Sequence, residues 1–212
     1  MPTLEQARQW YAQADAVHDF EHVRRVYRMA EYLARCEGAD LEIVRAAALL
    51  HDAQGSAPAQ HARSDHHRTS AEFAAQVLRA EGWPEARIQA VQHCIRAHRF
   101  RGQESPQTLE AQVVFDADKL DVLGAIGVAR VIAYATLAGT PWYAPPSAQF
   151  LESGIEMPGE PHSAYHEYLF KLRRIPERLY TPTARALAEE RLRYLDEFFR
   201  RLIAEWTVDG GP

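Results

Sequence analysis

Apolar residues recur every three or four positions along most of the chain and strand-like alternation is scarce, so the pattern predicts an all-α protein. From about Glu21 to Cys36, the residues Val23, Val26, Tyr27, Ala30 and Leu33 share one helical face, and Gly38 offers a stop. Asp40 is placed to cap the next helix, Leu41 to about Asp52. Between Ala46 and Leu50 that helix is apolar on every side, which marks a buried central element. Further helices are predicted over about His66 to Ala80, broken by Gly82, and over Pro84 to His98, where the proline suits a first turn. Thr108 can cap a run through Val113, Val114 and Ala117, and another helix covers about Leu120 to Leu137. The clearest element comes last. Thr181 caps and Pro182 opens a helix whose Ala184, Ala188, Leu192, Leu195, Phe199, Leu202 and Trp206 form one seam, roughly 25 residues and about 37 Å long.

Two stretches depart from the pattern. Residues 53–65 are small and polar, and residues 139–161 carry five prolines and three glycines. A connection of that second length suits a lid or binding wall, or a surface loop pinned by Trp142 and Tyr143. No repeat or linker interrupts the chain, so its 212 residues read as one domain: a core of about 15–135, a loop of about 139–161 and C-terminal helices of about 162–207. The net charge of -5, from 24 basic and 29 acidic residues, argues against a protein that coats nucleic acid. Cys36 and Cys94 supply no disulfide framework, which fits a reducing, cytoplasmic setting. The start, MPTLEQARQWYAQ, lacks a basic and apolar leader, and no run reaches membrane-spanning length, so neither secretion nor membrane insertion is expected.

Two dipeptides change the picture. His18-Asp19 heads the stretch HDFEHVRRV, and His51-Asp52 closes IVRAAALLHD. A helix that is apolar all round should not end on an imidazole and a carboxylate unless something offsets their burial, and a divalent cation would. His22, His51, Asp52 and one aspartate of FDADKLD form a ligand set of imidazole and carboxylate without thiolate. Such a set suits Mn²⁺, Fe²⁺, Co²⁺, Ni²⁺, Zn²⁺ or Mg²⁺ without choosing among them. Asp116, Asp118 and Asp121 can equally serve as caps or ion-pair partners, Lys119 among them.

His22, the His51-Asp52 pair and a distant aspartate resemble the H...HD...D signature of HD-domain metal-dependent phosphohydrolases. The blocks HDFEHVRRV, AAALLHD, FDADKLDVLGAIGVAR and HEYLFKLRRI...TPTARALAEERLRYLDEFF are similar to successive blocks of the bacterial YedJ/YpgQ-like subgroup, over most of residues 15–206. The resemblance implies an all-α HD-domain helical bundle with a long C-terminal helix. It also implies His22, His51, Asp52 and Asp118 as metal ligands, with Asp116 and Asp121 as fallbacks. Arg25 and Lys119 would then face phosphate, with His98 beside Arg96, Arg99 and Arg101 as a second phosphate wall. Lys171, near His166 and Tyr168 in the HEYLFKL block, would approach an anionic substrate.

One departure stands out: no acidic residue follows Asp52 until Asp65. Water activation is therefore assigned to the metal with Asp52, and proton transfer to His18, with His93 and His98 as further candidates. The resemblance implies a phosphorylated, nucleotide-type substrate, a nucleoside triphosphate cleaved to monophosphate and pyrophosphate, with Mn²⁺ as the leading metal. Alternatives on the same site are a 5'-nucleotidase, a cyclic-nucleotide phosphodiesterase, an alarmone hydrolase or a nucleotide-sensing module without turnover. A di-iron oxygenase would need further ligands, which His66, His93 or His98 could supply. The C-terminal seam leaves a homodimer open.

Overall fold

The structure, a computed structural model, describes residues 1–11, 20–54, 66–99 and 104–208. Ten α-helices and no strand occur among them. The described residues fall into two compact units, one drawn from 1–121 and 179–184 and the other from 122–178 and 185–208. The membrane expectation has a limited counterpart: no single helix among the described residues is long and apolar enough to cross a membrane.

The first unit contains α1 (Leu4–Trp10), α2 (Phe20–Glu37), α3 (Leu41–Leu50), α4 (His66–Ala80), α5 (Glu85–Ala97) and α6 (Leu109–Leu120). Central α3 packs against α2, α5 and α6, and its Val44 and Ala46 to Leu50 are buried, as their all-round apolar character predicts. The run of alanines lets neighbouring helices approach closely. On α2 the stripe Val23, Val26, Ala30 and Leu33 faces the same core. The Asp40 carboxylate caps α3 by accepting from the Glu42 and Ile43 N–H groups at 2.9 and 3.2 Å. Arg87 of α5 donates to the same carboxylate at 2.9 Å, tying one helix end to the next. At the far side of α6, buried Asp116 accepts from the Tyr180 and Thr181 N–H groups and the Thr181 hydroxyl, which seats 179–184 in this unit.

The second unit contains α7 (Gly124–Ala138), α8 (Ala148–Ser153), α9 (Ala164–Phe170), two 3₁₀ turns and most of α10 (Pro182–Thr207). Tyr168 stacks on Phe199 at 4.3 Å, and Leu172, Leu195 and Phe150 are buried in the same unit. The two helices expected here are both present: α6 ends at Leu120, and the second, expected from about Leu120, starts at Gly124, whose φ of 69° is left-handed.

The proline-rich segment is built rather than structureless. It contains α8, and Glu160 closes it by accepting from the Ser147 N–H, the Ser147 hydroxyl and the Met157 N–H at 2.7, 2.7 and 2.8 Å. Gly154 ends α8 with φ 71°, and a Cβ there would lie 1.8 Å from the Phe170 ring. Glycine is required at that position both by conformation and by space. Trp142 remains 46 % exposed with its indole donating to Thr136, while Tyr143 meets Trp206 at 6.1 Å.

Candidate metal centre

Five helices of the first unit bring histidines and carboxylates to one place. His22 comes from the first turn of α2, His66 from the start of α4, and Asp118 from the last turn of α6. His51 caps the C-terminus of α3, with Asp52 in the turn that follows, and His98 caps the C-terminus of α5. The negative ends of α3, α5 and α6 therefore all lie at this cluster and favour a cation. His22, His51 and His98 are buried, at 2, 0 and 4 % exposure.

The partners of the rings decide which nitrogen is available. His22 Nδ1 lies 2.7 Å from Asp121 Oδ2, His51 Nδ1 2.8 Å from the Ala48 carbonyl, and His98 Nδ1 2.5 Å from the Ile95 carbonyl. Each of these partners only accepts, so each Nδ1 carries a proton and each Nε2 is the ring nitrogen turned to the cluster, a lone pair in the neutral tautomer. Those lone pairs point at carboxylates. His22 Nε2 lies 3.4 Å from Asp118 Oδ1 and 4.0 Å from Asp52 Oδ2, while His51 Nε2 lies 3.5 Å from Asp52 Oδ2. On the other oxygen, Asp52 Oδ1 lies 3.5 Å from both His66 Nε2 and His98 Nε2.

Acceptors facing acceptors repel unless a cation joins them. His51 Nε2 and Asp52 Oδ1 are buried with no hydrogen-bond partner, the signature of atoms arranged for a ligand other than a protein donor. One ligand atom each from His22, His51 and Asp118 lie within 4.8 Å of one another, and so do those of Asp52, His66 and His98. The residues fit a divalent ion bound by nitrogen and oxygen.

Electrostatics keep the donors in their ligand forms. Burial pushes the His51 pKa down to about 4, so its imidazole is neutral near pH 7. Burial acts to raise Asp52, but the adjacent imidazoles of His51, His98 and His22 outweigh it and hold the carboxyl well below its ordinary range. At Asp118 burial again raises, and Lys119 followed by His22 outweighs it. Lys119 donates to Asp118 and sits 5.2 Å above the Phe115 ring.

Not every candidate falls at the cluster. Asp121, a fallback ligand, supports His22 from behind, and Arg25, expected against phosphate, grips Asp121 through Nε and Nη2 at 2.7 and 3.1 Å. Asp116 is occupied with Tyr180 and Thr181. His93 is paired with Glu104 at 2.6 Å and accepts from the Gln107 N–H, while Arg96 donates to the same Glu104. His98, expected in a second phosphate wall, is buried in the cluster beside Asp52. In the second unit, Lys171 pairs with Glu167, Tyr168 donates to Asp196, and buried His166 sits between Ser163 and Glu160. His18 lies outside the described residues. The sequence offers His66 for a di-iron site and Asp121 as a ligand, cap or ion-pair partner; the HH pair opening α4 is the signal for the former.

Comparisons with known proteins point the same way. The family model described as HD domain matches residues 19–123. The uncharacterized protein YpgQ of Bacillus subtilis (strain 168) is 34 % identical over 189 residues, which cover 87 % of this chain and 82 % of that protein. The crystal structure of Bacillus subtilis YpgQ in complex with ADP superposes with a TM-score of 0.72 at 31 % identity, over 96 % of this chain and 97 % of that one. A structure described as an HD-superfamily hydrolase from Bacillus thuringiensis gives a TM-score of 0.72 at 26 % identity, over 96 % and 94 % of the two chains.

Proposed function

Because this chain belongs to the HD-domain family of metal-dependent phosphohydrolases, we propose that it hydrolyses a nucleoside triphosphate to the monophosphate and pyrophosphate at the His22, His51, Asp52 and Asp118 cluster. The carrying observation is the convergence of the His22 and His51 Nε2 atoms on the Asp118 and Asp52 carboxylates, with His51 Nε2 and Asp52 Oδ1 buried and unpartnered. A divalent ion bound there, Mn²⁺ in our reading, supplies Lewis-acid polarisation of a phosphoryl oxygen and a water of lowered pKa. ADP in the related YpgQ structure supports a nucleotide as the substrate class.

The chain's own groups have the remaining tasks. Water attacks the α-phosphorus, the bond from that phosphorus to the oxygen bridging to the β-phosphate breaks, and pyrophosphate leaves. Asp52 acts with the metal in activating the attacking water, and His18 is the assigned proton carrier. Lys119 offsets phosphate charge beside Asp118. Burial of the cluster strengthens each of these interactions.

Product identity tests the proposal. Metal-loaded protein given a panel of nucleoside triphosphates, monophosphates, cyclic nucleotides and guanosine tetraphosphate should release pyrophosphate from triphosphates. Release of inorganic phosphate from monophosphates, or opening of a cyclic phosphate, would replace this reaction with one of its rivals. Tight nucleotide binding without turnover, unaltered in Asp52→Ala, would make the protein a sensor.

A further inference from the structure

We propose that the hydroxyl of Tyr11 positions the His51-Asp52 pair for metal binding, from outside the segment that the HD domain model matches. The inference rests on the reading of His22, His51, Asp52 and Asp118 as a metal site, and adds to it a residue that touches neither ion nor substrate.

The C-terminus of α3 carries both residues of the pair, and the last carbonyls of a buried helix need donors from outside it. Three different groups supply them. The Ala48 carbonyl accepts from His51 Nδ1 at 2.8 Å, the Leu50 carbonyl from the Ala53 N–H at 3.3 Å, and the Leu49 carbonyl from the Tyr11 hydroxyl at 2.9 Å. The first two donors are local, whereas Tyr11 lies 38 residues away in the sequence. Backbone hydrogen bonding from the Asp52 N–H reaches the same phenol oxygen, so Tyr11 ties the carbonyl of Leu49 to the amide of Asp52 across the turn. The orientation of that amide sets the direction of the Asp52 side chain, and with it the aim of both carboxylate oxygens.

Tyr11 is anchored for this task. It caps the C-terminus of α1, whose first turn is fixed by a capping box between Thr3 and Gln6. Trp10 beside it packs edge-on against Phe73 of α4 at 5.4 Å, and the Tyr11 ring lies 6.1 Å from Phe20 at the start of α2. Tyr11 is buried, which removes solvent as a competing partner for its hydroxyl. Burial, and after it the Asp52 carboxylate, raises the phenol pKa well above the ordinary 10, so the group stays protonated and keeps donating. Its proton is directed to Leu49, and Asp52 Oδ1 is left without a hydrogen-bond partner, open to a cation. Without the hydroxyl, a buried carbonyl is stranded in the turn that carries two ligands, and the turn shifts toward another donor.

Mn²⁺ affinity separates positioning from packing. In the full chain, Tyr11→Phe keeps the ring and loses only the hydroxyl, so it should weaken Mn²⁺ binding roughly tenfold or more, read from the electron paramagnetic resonance signal of the free ion. Its helical circular dichroism should be retained, and the spectrum of the bound ion should broaden as the ligand geometry loosens. Tyr11→Leu also gives up the ring; it should bind Mn²⁺ as weakly as Tyr11→Phe and melt at a lower temperature. Wild-type affinity in Tyr11→Phe, or a Tyr11→Phe chain without its helical content, overturns the proposal and makes Tyr11 a packing residue, while the metal site stands. No bound ion in the wild type overturns the metal-site reading and this inference with it.

Discussion

His22 Nδ1 lies 2.7 Å from Asp121 Oδ2, and the same carboxylate is held by the guanidinium of Arg25. The contact fixes the proton on Nδ1 and turns Nε2 toward Asp118 and Asp52. A carboxylate behind a metal-binding histidine sets its tautomer and raises its basicity. Asp121→Asn should therefore weaken divalent-metal binding roughly 10- to 100-fold with the helical content retained. Competition with a fluorescent chelator measures this, and unchanged affinity would show that His22 needs no such support.

Lys119 separates two roles that lie close together. Its ammonium donates to Asp118, a candidate ligand, and its charge also suits phosphate. Lys119→Met removes a cation, so Mn²⁺ affinity should hold or rise, while KM for a nucleoside triphosphate rises about tenfold or more, the loss of one charge-assisted hydrogen bond. Metal titration and steady-state kinetics on one preparation read both. A fall in metal affinity at constant KM would make Lys119 a positioning residue for Asp118.

Asp116 is fully buried and accepts at 3.0 Å from the Tyr180 N–H and at 2.8 Å from both the Thr181 N–H and its hydroxyl. Asp116→Ala strands these donors, and roughly 2–4 kcal/mol of stability should be lost. Urea unfolding measures the loss. Metal stoichiometry in the folded variant should match the wild type, since Asp116 has its partners away from the cluster.

Glu160 links pH to stability. The Ser147 N–H, then the Met157 N–H, hold its pKa at about 2 rather than the ordinary 4.5. A carboxyl with a depressed folded-state pKa stabilises fully above its unfolded value and loses that contribution as pH falls through the folded one. The advantage of wild type over Glu160→Gln should be full above about pH 4.5 and shrink toward pH 2. Paired thermal melts across that range test it; a constant gap would assign the difference to packing.

The candidate site was legible only in part, for reasons that particular residues show. His51-Asp52 stood out because AAALL left no polar surroundings for it, and Ala46 to Leu50 are indeed buried on every side. The grip of Arg25, expected against phosphate, on Asp121 was not legible, because that partner lies 96 residues away. His98 read as part of a basic stretch until α5 ended on it, pointing its ring inward.

By itself the sequence determined the helices and their buried faces, because a 3.6-residue period of apolar side chains can be satisfied in few ways. It also determined the donor chemistry of the site, since imidazole and carboxylate without thiolate is a property of composition. Tertiary structure alone decided which nitrogen of each histidine is free and which aspartate supports rather than faces the cluster. It alone gave the two oxygens of Asp52 to different neighbours. Those choices depend on atoms brought to within 4 Å from helices far apart in the chain, and no local pattern encodes such a distance.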